Sequence, residues 1–235
     1  MSEASERIAE NLATVRDRIA SAAKRSGRMP TDVQLVAVTK YVSAERARDL
    51  VAAGCGDLGE SRPQELWQKA AQLAELPVRW HLIGHLQTNK LKRTLPLVDL
   101  LHSLDSEHLA AAIEQWAAPS DRTVAALLEV NISGDETKHG FSSEAAVAAI
   151  EHAGNWPHLE LRGLMTMASQ TGGRTEARRN FVALRALRDR IVDRFPQGPV
   201  LSELSMGMSS DYDIAVEEGA TIVRVGSALF EGLEP

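Results

Sequence analysis

Residues 33–40 read VQLVAVTK, residues 43–54 read SAERARDLVAAG and residues 57–60 read DLGE. An apolar β-branched run, a helical stretch and a second short strand make one strand–helix–strand unit, the building block of a parallel sheet. Ser43 is the expected helix cap, Arg46 and Leu50 stand four residues apart, and Gly54 is the expected stop. The alternation continues outward from this unit, with strands expected at 78–84, 99–105, 124–133, 159–168, 203–208 and 221–226. Eight strands alternating with helices predict an α/β fold, a (β/α)8 TIM barrel. An open doubly wound sheet is the competing architecture, but no GxGxxG follows the first strand, and eight units exceed what nucleotide-binding sheets use.

The rest of the chain fits one barrel. Its 235 residues are 44% hydrophobic and 25% charged, an ordinary globular balance, with no Pro-rich linker or repeat to divide it, so residues 1–235 are read as one domain. The helix expected at about 3–26 is amphipathic and packs on the barrel, standing in for the last outer helix. A second long helix, expected from Thr175 to Phe195, carries Phe181, Leu184, Leu187, Ile191 and Phe195 on one stripe, with its arginines mostly off it. Lys plus Arg total 26 against 32 Asp plus Glu, a net charge of −6, which disfavours non-specific nucleic-acid binding. With a single cysteine, Cys55, no export signal and no apolar run of membrane length, the expected compartment is the cytoplasm.

Active sites of parallel barrels lie at the C-terminal ends of the strands, and polar residues gather there in this sequence. Lys40 ends the first strand after LVAV. A desolvated lysine amine attacks carbonyls, although Lys40 taken alone reads more readily as a lysine that reaches to solvent or pairs with Glu60. Arg224 lies in TIVRVG on the same face as Ile222 and Gly226; facing the barrel interior, it needs a carboxylate partner or a ligand. The loops SMGMSSD and RVGSA follow strands seven and eight, where barrels frequently cradle phosphate with backbone N–H groups. SSD is also a candidate helix cap. His81 and His85 are four apart across a strand end, so a core or loop role is expected and no metal site. Cys55 is expected to be a small buried residue. Asn131, Met165 and Ser205, late in strands five, six and seven, join Lys40, Ser209, Arg224, Gly226 and Ser227 as the expected binding set. An aldehyde for the lysine, a phosphate for the loops and a ring nitrogen for the arginine together describe pyridoxal 5′-phosphate (PLP).

LVAVTK, GES.PQE, WHLIGHLQTNK, HSLD, VNIS with KHG, RGLMTM, LSMGMSSD and VRVGSALFEG occur in this order over nearly the whole chain. The set resembles the YggS/PROSC family of pyridoxal phosphate homeostasis proteins. The resemblance implies a fold type III barrel like the N-terminal domain of alanine racemase, without that enzyme's β-rich second domain. It implies that Lys40 holds PLP as a Schiff base, that Arg224 faces the pyridine nitrogen, and that Ser209, Gly226 and Ser227 bind the phosphate. The family usually has Asn after Gly-Glu, where this chain has the shorter Ser61.

An arginine opposite the ring nitrogen leaves it unprotonated and the ring a weak electron sink. The chain has two tyrosines. Tyr41, adjacent to Lys40 on the pleat, is expected to point away from it, so a second catalytic base is missing. The expected role is cofactor holding and delivery without robust catalysis, with a low-activity amino-acid racemase as the alternative. A Schiff-base aldolase acting on a sugar phosphate is a further rival that has no use for Arg224, and an RNA scaffold rests only on Lys90, Lys92 and Arg93. Expected partners are PLP and PLP-dependent apo-enzymes, with no nucleic acid or membrane, and the chain is expected to be a monomer.

Overall fold

A computed structural model of the chain describes residues 2–135, 139–169 and 171–233. Eight strands close on themselves in sequence order: β1 (Gln34–Val38), β2 (Asp57–Glu60), β3 (Arg79–Leu82), β4 (Leu100–Leu104), β5 (Val124–Glu129), β6 (Leu159–Met165), β7 (Glu203–Ser205) and β8 (Ile222–Val225). Every neighbouring pair is parallel, and β8 returns to β1 with Arg224 opposite Val36. The helices α1 (Glu3–Arg25), α2 (Ala44–Ala52), α3 (Pro63–Gln72), α4 (Leu91–Thr94), α5 (Glu107–Ala117), α6 (Ser143–Glu151), α7 (Gly173–Arg194) and α8 (Tyr212–Glu217) complete the expected (β/α)8 barrel.

Side chains alternate across each strand, so every second residue enters the barrel. Val36, Leu100, Ala125, Leu127, Met165 and Ile222 form the interior cluster, separate from the larger core under the helices. Arg224, two residues beyond Ile222, therefore points inward toward the mouth and is 3% exposed.

The strands stop earlier than the sequence reading expects. β1 ends at Val38, where the Val42 N–H turns back to the Thr39 carbonyl. β3 ends at Leu82, and a Cβ on Gly84 would lie 2.3 Å from the Ser61 carbonyl oxygen, so the β2 and β3 loops touch backbone to backbone. β7 ends at Ser205, and Gly207 is left-handed at φ 93°. Residues at the mouth are thus held by loops.

Ser2 caps α1 by accepting from the Ser5 N–H, and Ile8, Leu12, Val15 and Ile19 form its buried stripe against α2 and α8. Ser43 caps α2 by accepting from the Arg46 N–H, and Gly54 follows left-handed at φ 87°. On α7, Phe181, Leu184, Leu187 and Ile191 are buried. Its arginines meet the acids of the α8 segment: Arg174 pairs with Asp213, Arg178 with Glu217 and Glu218, and Arg185 with Glu218. The basic face is thereby neutralised. Among the described residues no helix is long and apolar enough to cross a membrane.

Candidate cofactor site

A cavity of ≈ 1180 Å³ opens at the C-terminal mouth between the loops after β1, β2, β3, β6, β7 and β8. Lys40, Ser209, Arg224, Gly226 and Ser227 all line it, and so does Ser61. Asn131, Met165 and Ser205 are not among its walls. Met165 is buried in the interior cluster below it, and Ser205 touches Arg224 from beneath. The Asn131 side chain donates to the Asp135 carbonyl and holds its own loop on the far side of the ring.

Lys40 is exposed rather than desolvated, and its ammonium lies 4.8 Å over the centre of the Tyr41 ring. Tyr41 therefore shares the mouth with Lys40 instead of pointing away. The pleat does not apply here, because β1 has already ended and both residues sit in the turn after it. Among the described residues Lys40 forms no ion pair; Glu60 is taken by another lysine. Lys69, buried on α3, donates from Nζ to Glu60 Oε1 at 2.6 Å and to the Thr39 carbonyl at 2.6 Å. The Thr39 hydroxyl also donates to Glu60 Oε1, at 2.6 Å. This knot fixes the backbone immediately before Lys40. Nothing in the sequence marks Lys69, because a lone lysine on an amphipathic helix reads as solvated.

Arg224 enters no ion pair among the described residues. Its Nη1 donates to the Ser205 hydroxyl at 2.6 Å and its Nη2 to the Thr166 carbonyl at 3.0 Å. Burial lowers the guanidinium to about 10, with Glu129 and Asp211 opposing the shift, so it stays charged at neutral pH. Beneath it a buried chain crosses the barrel. Ser205 Oγ lies 2.8 Å from His102 Nδ1, His102 Nε2 is 2.9 Å from His81 Nδ1, and His81 Nε2 is 3.1 Å from Asp57 Oδ1. Burial pushes the Asp57 carboxyl up, but hydrogen bonds from His81 and Arg79 outweigh it and bring it to about 2, so it accepts. Arginine only donates. One assignment satisfies every donor: Ser205 donates to His102, His102 donates from Nε2 to His81, and His81 donates to Asp57. His102 is then neutral, in line with its burial, which together with the nearby Arg224 charge holds it well below its ordinary value. His81 is thus a core residue, as expected, and Cys55 is buried, its thiol raised by burial to about 11.

Across the mouth, Glu129 ends the apolar run of β5 and is 5% exposed. Burial raises its carboxyl to about 7, Asp105 adds to the rise, and Arg224 and His85 oppose it. Nothing in VAALLE distinguishes an inward glutamate from a solvated strand end.

The two small-residue loops converge. The N–H groups of Gly226 and Ala228 point at the Ser209 hydroxyl at 3.1 and 3.5 Å, at the start of the 3-10 turn Ser227–Leu229. A Cβ on Gly226 would come 3.3 Å from the Val38 carbonyl oxygen, so the backbone approach there leaves little room for a side chain. Asp211 stands at the cap position of α8, but its carboxylate bonds back to the Met208 N–H at 2.6 Å and tightens the loop instead of capping the helix.

The family model described as alanine racemase, N-terminal domain, matches residues 6–234. The chain is 39% identical to the pyridoxal phosphate homeostasis protein of Aquifex aeolicus, over 94% of this chain and 96% of the relative. It is 40% identical to the protein of the same name from Pseudomonas aeruginosa, over 95% and 94%. PipY of Synechococcus elongatus, solved with PLP bound, superposes with a TM-score of 0.84 at 35% identity, covering 95% of this chain and 99% of PipY. An alanine racemase from Clostridium difficile shares the fold at a TM-score of 0.72 and 14% identity, with only 56% of that enzyme covered. By sequence and fold, the chain belongs to the family of pyridoxal phosphate homeostasis proteins.

Proposed function

We propose that this single barrel, with α1 packed on it, binds PLP at the described cavity and takes part in PLP homeostasis, holding the cofactor on Lys40 and passing it to apo-enzymes without robust catalysis of its own. The observation that carries the reading is the convergence of an exposed amine, a buried unpaired arginine and two N–H groups beside a hydroxyl around one cavity. The fit is residue by residue. Gly226 N–H, Ala228 N–H, Ser209 and Ser227 suit a phosphate, since backbone donors at the start of a turn favour an anion. Arg224 has only donors, so a ring nitrogen that it faces is an acceptor and stays unprotonated. When bound, PLP supplies an aldehyde that condenses reversibly with an amine.

The chain's own residues divide the work. Lys40 presents its amine over the Tyr41 ring, and the Lys69–Glu60 knot holds the turn from which it projects. The buried chain below fixes the guanidinium of Arg224. Racemisation needs proton carriers on both faces of a substrate carbon. Lys40 and Tyr41 are consecutive and stacked, so they approach from one edge. This supports holding over turnover, while the low-activity racemase remains the second reading because Tyr41 is at the mouth.

The test compares PLP with pyridoxal on purified protein by equilibrium dialysis and assays amino acids by chiral chromatography. Tight retention of PLP, far weaker retention of pyridoxal and only trace racemisation are expected. Ser209→Ala weakens PLP by about 1–3 kcal/mol, the range for losing a hydrogen bond to a charged group. Equal retention of the two aldehydes would remove the phosphate cradle, and sustained turnover lost in Lys40→Ala would favour the racemase.

A further inference from the structure

On the rim beyond the cofactor cavity, three donors from separate loops meet. His85 follows β3, Asp105 follows β4 and His139 lies in the segment after β5. One ligating atom from each lies within 4.8 Å of the others. His85 Nδ1 is 2.7 Å from Asp105 Oδ2, and Asp105 Oδ1 accepts from the Ser106 hydroxyl at 3.1 Å, which orients the carboxylate. The two imidazoles stack with centroids 4.7 Å apart and planes 16° from parallel.

We propose that His85, Asp105 and His139 bind a divalent transition-metal ion of the zinc class. Two imidazoles and one carboxylate suit zinc and its neighbours, whereas calcium and magnesium call for oxygen ligands. Zinc–nitrogen and zinc–oxygen bonds of about 2.0–2.2 Å in a tetrahedron place ligand atoms roughly 3.3 Å apart. The 2.7 Å pair must therefore open by about half an ångström and the widest pair close by at most about 1.5 Å. Parallel rings aim their lone pairs side by side, so one ring must turn. His85 and His139 are both exposed and free to do so, while the half-buried Asp105, its side chain 8% exposed, is the fixed ligand. Three protein ligands leave a fourth position for water or for a molecule at the mouth, as in open zinc sites. Gly84, the residue before His85, lines the cofactor cavity, so the ion sits beside that cavity and not within it.

Metal binding here does not depend on the PLP reading, and the test separates the two. Tag-free protein, stripped with a chelator and dialysed, is titrated with Zn²⁺ by calorimetry and with Co²⁺ by visible absorbance, with and without PLP. One equivalent binds at micromolar affinity or tighter, and Co²⁺ gives the intense bands of a four-coordinate site. His85→Ala, His139→Ala and Asp105→Asn each weaken Zn²⁺ at least tenfold with unchanged far-ultraviolet dichroism and melting. His152→Ala, an exposed histidine paired with Glu107 elsewhere, leaves the affinity unchanged. No binding up to millimolar Zn²⁺, or equal affinity in the His85→Ala/His139→Ala double variant, overturns the proposal.

Discussion

Arg224 illustrates what one residue contributes and what the sequence says of it. Alternation along TIVRVG puts it on one face with Ile222 and Gly226, and the structure makes that face the barrel interior. Its support was illegible, because His102, Ser205 and Asp57 are joined only by the closing of the barrel. His102 lies two residues after Leu100 on the inward face, and nothing local marks it as the relay between a serine and a second histidine. The donor assignment has a direct consequence. His102 carries its proton on Nε2 and remains neutral in the folded protein from pH 8 down to pH 5, because protonation would set a second buried cation beside Arg224. Nitrogen-15 NMR of the imidazole reads both properties; a His102 doubly protonated at pH 5 would break the assignment.

At the scale of elements, the order of strands and helices was legible from periodicity, while the ends of the strands were not. The expected strands run on past Val38, Leu82 and Ser205, but the backbone there turns away to meet other loops. That difference misdirected the reading of Tyr41, which follows the turn and not the pleat. The loop bearing Lys40 depends on α3 through Lys69, whose loss leaves the fully buried Glu60 without its cation. Lys69→Met is expected to cost about 3–5 kcal/mol by urea unfolding, the range for orphaning one member of a buried pair. Glu60→Gln/Lys69→Met restores much of that stability, yet PLP affinity stays low because nothing ties down the Thr39 carbonyl. Wild-type affinity in the double variant would show that the knot serves stability alone.

For the molecule as a whole, the closed barrel gathers a set of inward charges that no segment reveals alone. Glu129 is the clearest. Its folded value of about 7 stands above the ordinary 4.5, so the native state holds a proton that the unfolded chain has released between these limits. Stability from this group is therefore intact below about pH 4.5 and declines as pH rises to about 7, by on the order of 3 kcal/mol. Glu129→Gln removes the decline: the variant matches wild type at pH 5 and exceeds it at pH 8 in urea midpoint. Equal differences at the two pH values would mean that Glu129 is ionised throughout.

Attachment of PLP to Lys40 is the step on which the proposed role rests. Borohydride reduction of the PLP-loaded protein, digestion and peptide mass spectrometry test it most directly. One pyridoxyl group per chain is expected, on Lys40, and none in Lys40→Ala. A pyridoxyl group on Lys69 or any other lysine in place of Lys40, or undiminished labelling of Lys40→Ala, would contradict it.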